Sequence, residues 1–324
     1  MVLNNMENNV PKNRIAWIDN NRLFAILCVI LYHSSQLVDN KVYFGWIIES
    51  FNMPLFFFLS GFTSEKSLLN ISGFKGLYDF VKKRFVRIML PCIFVSMLIF
   101  QKPCSYWFLL TLFYYLVAFA GLKYICGRCK LGDAVLYILF ALLTFIKMPV
   151  IGNNQEFVWI FTLGIIASKY KIFDMFRTLK PSKQIQISIV LLTCWICLLP
   201  FYESFYIQKI YDLLRTGSFH TFLLRQIMAF SFVIGCCIYY LNKRNYITRI
   251  SEWGGQTMGM YIVHVTILKW CEKYNVVYTA SDPIVGDLMQ LLAFALLTII
   301  TLIIVRILRL WRWTNFLVLG NKLR

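Results

Sequence analysis

The sequence predicts an all-α polytopic membrane protein with about ten transmembrane helices and both termini in the cytoplasm. Three observations support this fold class. Hydrophobic residues make up 59% of the 324 residues and charged residues only 15%, whereas soluble domains average roughly half apolar and about a quarter charged. Many apolar runs approach the roughly 20 residues that a helix needs to cross a bilayer. Lys and Arg concentrate between alternate runs.

Ten apolar runs separated by charged residues are the candidate spans. They cover approximately residues 22–38, 46–63, 85–101, 105–123, 132–147, 156–168, 184–200, 221–241, 256–271 and 287–308. The sixth run is short, so we expect it to tilt or to be completed by its neighbours. We expect the first run to be retained as a span rather than cleaved as a signal peptide. The predicted organisation is a polar N-terminal segment (1–13), one membrane domain (14–310) and a basic tail (311–324).

The distribution of basic residues predicts the orientation. Of the 33 Lys and Arg residues, 25 fall on the side of the two termini and 8 on the other side. Because cytoplasmic loops of membrane proteins accumulate Lys and Arg, both termini are expected in the cytoplasm. The net charge of +18 has the same explanation, so we expect a lipid bilayer and no nucleic acid as partner. The predicted location is the inner (plasma) membrane.

The cysteines predict no metal site. Most of the ten fall inside apolar runs, where they behave as small hydrophobic residues. Cys126 and Cys129 have the spacing of one zinc-ligand pair, but the sequence has no second pair for them.

Two ionisable residues mark the first span. Arg22 and His33 are eleven positions apart, almost three helical turns, so they share a helix face at a separation of roughly 16 Å. This spacing predicts Arg22 near the cytoplasmic surface and His33 near the middle of the bilayer. A histidine there is either part of a functional site or held by an interhelical hydrogen bond, and the spacing favours neither interpretation.

The second span contains Pro54, which we expect to kink the helix. Its Ser60-Gly61 pair would let another backbone or a ligand approach closely. A basic cluster then precedes the third span and consists of Lys82, Lys83, Arg84 and Arg87. This cluster could bind an anionic ligand such as cofactor phosphates, or it could be a topology signal or bind lipid headgroups.

Four further residues are candidates for contact with an acceptor substrate. Tyr261 and His264 are three residues apart in the ninth span, so they could face one cavity or form a structural hydrogen bond. Glu49, near the outer end of the second span, could contact an acceptor or be a carboxylate at the lipid interface. Trp107 could stack on a sugar or anchor the chain at the membrane surface.

The order of these motifs resembles that of the acyltransferase 3 family of integral-membrane acyltransferases, and among them the fucose 4-O-acetylase-like branch. The matching segments are Trp17-Ile-Asp-Asn-Asn-Arg22 with His33-Ser34, Met53-Pro-Leu-Phe-Phe-Phe-Leu-Ser-Gly-Phe62, Phe80-Val-Lys-Lys-Arg-Phe-Val-Arg-Ile88, Tyr106-Trp-Phe-Leu109 and Gly259-Met-Tyr-Ile-Val-His264. The resemblance extends from about residue 14 to the last span.

This resemblance implies the chemistry and the roles of several residues. The donor would be acyl-CoA, most simply acetyl-CoA, entering from the cytoplasm, and the acceptor a hydroxyl of a cell-envelope sugar or lipid-linked precursor. His33 matches the essential histidine of the family and Arg22 its partner arginine. Lys83 and Arg84 match a pair of donor-binding arginines. Lys83 departs from that pattern, because lysine keeps the charge but loses the two-pronged phosphate contact.

The sequence therefore predicts a membrane O-acyltransferase, in particular an O-acetyltransferase. A neutral imidazole is suited to remove the acceptor proton, so His33 is the expected general base. An acetyl-imidazole intermediate is an open alternative. Two other functions also stay open: a secondary transporter or flippase with proton-coupling histidines, and an acyltransferase that modifies a small molecule or lipid.

Overall fold

The computed structural model of the chain describes residues 15–38, 45–100, 106–145, 154–207, 219–241, 253–279 and 282–321. The predicted N-terminal segment 1–13 lies outside these ranges. The described residues are helices and short connections, and their β structure is limited to an isolated bridge between Val38 and Tyr278. The all-α prediction is confirmed.

The described residues of the first half of the chain form seven helices and several short 3-10 and π-helical segments. The helices are α1 (Ala16–Ser34), α2 (Gly45–Glu49), α3 (Asn52–Leu69), α4 (Gly73–Arg84), α5 (Leu90–Val95), α6 (Trp107–Arg128) and α7 (Asp133–Leu142). A 3-10 turn, Ser35–Leu37, continues α1.

The second half contains seven more helices in the described residues. They are α8 (Val158–Lys169), α9 (Ile172–Arg177), α10 (Pro181–Ile207), α11 (Phe219–Leu241), α12 (Thr257–Lys273), α13 (Pro283–Leu310) and α14 (Arg312–Leu317).

Each of the ten predicted spans overlaps one or more of these helices. Among the described residues, four helical segments are long and apolar enough to cross a membrane, judged by length and composition: Trp107–Arg128, Pro181–Phe201, Phe222–Leu241 and Ile284–Leu310. The count of ten spans and the cytoplasmic position of the termini stay predictions.

The predicted kink at Pro54 was wrong. The chain instead turns at Ser50 and Phe51, and α3 begins at Asn52. Pro54 therefore lies in the first turn of α3, where a backbone N–H has no intrahelical partner and its absence costs nothing.

The chain is helical without interruption from Gly73 to Phe100, with two segments wound as π-helix, Phe85–Met89 and Ser96–Phe100. Pro91 lies between them and has no N–H to donate to the Arg87 carbonyl, four residues earlier. The C-terminal segment packs on that carbonyl at Gly320. A Cβ added to Gly320 would lie only 2.2 Å from the Arg87 oxygen. The basic cluster and the tail are thereby in contact.

Helices α3 and α8 approach each other closely, and two glycines make this possible. A Cβ on Gly61 would lie 2.1 Å from the Phe161 carbonyl oxygen, and a Cβ on Gly164 would lie 2.1 Å from that of Phe58. Small residues let two helix backbones approach in this way. Gly61 is buried in this contact. The role of Ser60 and Gly61 in donor binding stays a prediction.

Helix α1 is surrounded by the rest of the bundle. It packs against α3, α11, α12 and α13. Its buried side chains include Ala25, Ile26, Val29 and Ile30. Because α1 is central, residues at its two ends can meet residues that are distant in the sequence.

Candidate functional site

His33 lies in the last turn of α1. The helix begins at Ala16 and ends at Ser34, so His33 is close to its end. The depth of His33 near the middle of the bilayer stays a prediction. The side chain is half-buried. An imidazole in this position is held by the helix and is still open to a ligand.

His264 of α12 faces His33, and their ring centroids are 5.6 Å apart. His264 is completely buried. Its Nδ1 lies 2.8 Å from the Met260 carbonyl oxygen, which can only accept a hydrogen bond, so Nδ1 carries the proton. The lone pair of the neutral ring is then on Nε2, which is buried and has no hydrogen-bond partner among the described residues.

An aromatic wall extends from the histidine pair to the start of α6. Tyr261 lies 5.6 Å from His264 and 5.4 Å from Phe108, measured between ring centroids, and Phe108 is 6.3 Å from Trp107. The structure thus brings His33, His264, Tyr261 and Trp107 into one region. Trp107 is 42% exposed, so its ring has a free surface at the edge of this region.

Gln36 is the hydrogen-bond partner of His33. The Gln36 amide nitrogen lies 3.2 Å from His33 Nδ1. The sequence analysis did not identify Gln36. Its position depends on the 3-10 turn after α1, and a helical pattern does not reveal where an α-helix tightens into such a turn.

Arg22 lies toward the other end of α1 and contacts α3. It donates a hydrogen bond of 2.9 Å to the Thr63 hydroxyl. Its guanidinium is also 3.8 Å from Asp19, one turn back on α1. Arg22 and His33 are therefore about three turns apart on the same uninterrupted helix, in agreement with the separation predicted from their spacing.

Arg84 contacts the same face of α3 one turn away. It donates a hydrogen bond of 2.8 Å to the Ser67 hydroxyl, four residues after Thr63, and its guanidinium lies 5.1 Å from the centre of the Phe80 ring. Burial, aided by the positive charge of Arg87, lowers the pKa of Arg84 to about 10. The group is still charged at neutral pH, and its buried Nε has no hydrogen-bond partner among the described residues.

Ser60, Thr63 and Ser67 form a row of hydroxyl groups on α3. Their spacing of three and four residues places them on one helix face. Of these three residues only Ser60 was a predicted site residue, although the spacing of Thr63 and Ser67 inside an apolar helix is a signal that could have identified them as well. Ser60 is half-exposed, and its carbonyl lies 3.4 Å from the Thr63 hydroxyl.

The other predicted donor-binding cations are exposed. Lys83 and Arg87 both project from the helix surface, and Lys82 lies 5.9 Å from the centre of the Tyr78 ring. Their role in donor binding stays a prediction.

Glu49 lies in a different place from the aromatic wall. It lines a cavity of about 350 Å³, including space open to solvent, together with Glu156 and Arg225. Glu156 and Arg225 form an ion pair of 2.7 Å. The structure does not bring Glu49 together with Trp107, Tyr261 and His264, so its role in acceptor binding stays a prediction.

Comparison with known proteins identifies the family. The model of the acyltransferase 3 family, described as an acyltransferase domain, matches residues 15–100 and 104–310. No curated protein and no solved structure matched the chain. The family match includes both ends of α1, the hydroxyl row of α3 and the histidine pair. The chain belongs to the acyltransferase 3 family and is a membrane acyltransferase.

Proposed function

We propose that the protein transfers an acyl group, in particular acetyl, from cytoplasmic acyl-CoA to a hydroxyl of a cell-envelope sugar or its lipid-linked precursor. One observation carries this proposal. Helix α1 joins two kinds of chemistry, with arginines on a hydroxyl row near one end and a histidine pair at the other end.

The arginine end suits the donor. Coenzyme A carries a diphosphate and a third phosphate, and arginine binds phosphate oxygens with two parallel N–H groups. Thr63 and Ser67 hold Arg22 and Arg84 one helical turn apart. The flexible pantetheine arm of coenzyme A can extend along α1 from these guanidinium groups and carry the thioester toward His33.

The histidine end suits the transfer step. His33 accepts the proton of the acceptor hydroxyl while the oxygen attacks the thioester carbonyl carbon. The carbon–sulfur bond then breaks, an ester forms, and the proton on the imidazole passes to the departing thiolate. Atoms and charges balance, and the products are the acylated sugar and free coenzyme A. His33 takes this role rather than His264, because it is half-buried and open to a ligand whereas His264 is completely buried.

The aromatic wall supports a sugar acceptor. Trp107 has an exposed ring, and a sugar can lay its apolar C–H face on such a ring while its hydroxyl groups contact polar neighbours. In the predicted topology, the start of α6 and the end of α1 both lie on the side away from the cytoplasm. The donor and acceptor would then reach the transfer site from opposite ends of α1.

The test replaces His33 with alanine in cells that make the native envelope glycans. Mass spectrometry of those glycans should show the loss of one acyl mass, because general base catalysis contributes roughly 10²- to 10⁴-fold to a rate. The mass difference also identifies the acyl chain. His220→Ala is the control. It changes the one histidine that has no proposed role, and it should leave acylation intact. Normal acylation by a His33→Ala protein present in the membrane at the normal level would refute the proposal.

A further inference from the structure

We infer that Gln36 is a positioning residue for His33 and determines which ring nitrogen accepts the proton of the acceptor hydroxyl. This inference rests on the proposed role of His33 as general base. Its starting point is the contact of 3.2 Å between the Gln36 amide and His33 Nδ1.

The local backbone makes this contact. Helix α1 ends at Ser34 and the chain continues as a 3-10 turn over Ser35–Leu37. Side chains three residues apart lie directly above one another in a 3-10 helix, unlike in an α-helix. Gln36 is therefore aligned with His33, three residues earlier. The Ser34 and Ser35 hydroxyls donate to the carbonyl oxygens three residues before them, at 2.7 and 2.8 Å, and so support the tightened turn.

The turn is also tied to the element that carries His264. Tyr278, which follows α12, donates its backbone N–H to the Leu37 carbonyl at 3.0 Å, and Val38 pairs with Tyr278. Gln36 is thus held against a segment that is anchored close to the second histidine. An exposed glutamine at a free chain end would have no such constraint.

The orientation of the Gln36 amide determines which ring nitrogen of His33 carries the proton. The oxygen and nitrogen of a glutamine amide can exchange places by a half-turn with nearly the same shape. With the oxygen facing His33, Nδ1 carries a proton and Nε2 holds the lone pair that acts as base. With the nitrogen facing His33, as it does in this structure, Nδ1 accepts a hydrogen bond and the proton is on Nε2.

We assign the first arrangement to the active protein, because it leaves Nε2 as the base and stabilises the imidazolium that forms during transfer. A carbonyl oxygen that accepts from Nδ1–H fixes the tautomer in the same way at His264. An uncharged amide does this without adding a charge beside the ring.

Other ionisable groups on the elements around this turn could also influence a pH profile. They are Tyr32 of α1, His264, Lys269 and Glu272 of α12, Tyr278 after it, Asp282 at the N-cap of α13, and Asp287 of α13. Lys269 and Glu272 form an ion pair. None of these groups changes in the variants below, so a difference between the variants reports on position 36.

The experiment measures transfer from radiolabelled acetyl-CoA into the lipid and glycan fraction of membrane vesicles that contain the full chain. Gln36→Leu keeps the size of the side chain and removes the hydrogen bond. Gln36→Glu keeps an acceptor for Nδ1–H and adds a negative charge. The control is Gln290→Leu, because the Gln290 amide contacts the last turn of α1, just before Gln36, at the Leu31 carbonyl, 3.3 Å away. Gln36 is exposed, so its variants are expected to fold.

We expect Gln36→Leu to lower kcat by roughly 10- to 100-fold, a part of the contribution of a general base, with little change in KM for acetyl-CoA. Gln36→Glu should recover most of the rate at high pH. Its carboxylate favours the protonated ring, so the acidic limb of its pH–rate profile should move to higher pH. Gln290→Leu should retain the normal rate and profile.

Two results separate the possible failures. If His33→Ala is inactive but both Gln36 variants keep the normal rate and pH profile, the inference about Gln36 is wrong and the proposed function stands. If His33→Ala transfers acetyl normally in the same vesicles, the proposed function fails and this inference fails with it.

Discussion

Adjacent cations of the basic cluster have different surroundings. On a helix each residue is rotated by about 100° from the one before, so Lys83 projects outward while Arg84 turns toward α3. The sequence predicted the cluster and its charge but did not show which of its cations turns toward α3. Only the tertiary structure distinguishes Arg84, because it places the Ser67 hydroxyl of α3 within hydrogen-bond distance of the Arg84 guanidinium.

We expect Arg84→Lys to raise the KM for acetyl-CoA about tenfold, equivalent to about 1.4 kcal/mol of lost binding free energy, with kcat nearly unchanged. Lysine keeps the charge but cannot contact Ser67 and a phosphate with one planar group. Initial-rate kinetics with varied acetyl-CoA would measure this. Lys82→Gln removes an exposed charge on the same helix and should change KM far less. An equal effect of the two variants would show that only the total charge matters.

Helices α3 and α8 are held together by backbone contacts that cannot be predicted from the hydropathy of the sequence. The apolar runs predicted where the helices are, and the structure has a helix at each. It was not possible to predict that α3 and α8 touch through Gly61 and Gly164, since the contact joins residues about a hundred positions apart. The sequence could show only that a glycine permits close approach, not which backbone approaches.

We expect Gly61→Ala or Gly164→Ala to destabilise the protein by about 1–3 kcal/mol, as overpacking of a close contact does. The added methyl group would meet a carbonyl oxygen of the facing helix at 2.1 Å, and backbone atoms cannot rotate away. The thermal unfolding temperature of the protein in detergent would measure the loss. Gly121→Ala is the matched control, because it also lies in a helix but has no atom within 4 Å of the added Cβ. Equal unfolding temperatures for the three variants would contradict the packing argument.

The whole molecule is predicted to have a cytoplasmic donor side and an opposite acceptor side. That assignment comes from the unequal count of basic residues in alternate loops, and it is independent of the helix packing. The structure adds that α1 reaches from the arginine cluster to the histidine pair. If the orientation is correct, donor and acceptor meet at the end of α1 farther from the cytoplasm.

Cysteine labelling tests this orientation. Cys129, exposed between α6 and α7, is expected in the cytoplasm. In a variant where it is the single cysteine, a membrane-impermeant maleimide should label inside-out vesicles and not intact cells. A single cysteine at the exposed position of Asn275, after α12, should show the opposite pattern. Labelling of both positions from the same side would exclude the predicted topology.

The sequence alone determined the all-α class, the approximate helix positions, the family and the two ionisable residues of α1. These follow from local composition and spacing along a single helix, which the sequence records directly. The tertiary structure decided that His264 and the aromatic wall lie beside His33, that Thr63 and Ser67 hold the two arginines, and that Gln36 contacts the proposed base. Each of the first two depends on separate helices packing together, and the third on a 3-10 turn at a helix end. Hydrophobic periodicity in the sequence shows neither which helices pack together nor where a 3-10 turn forms.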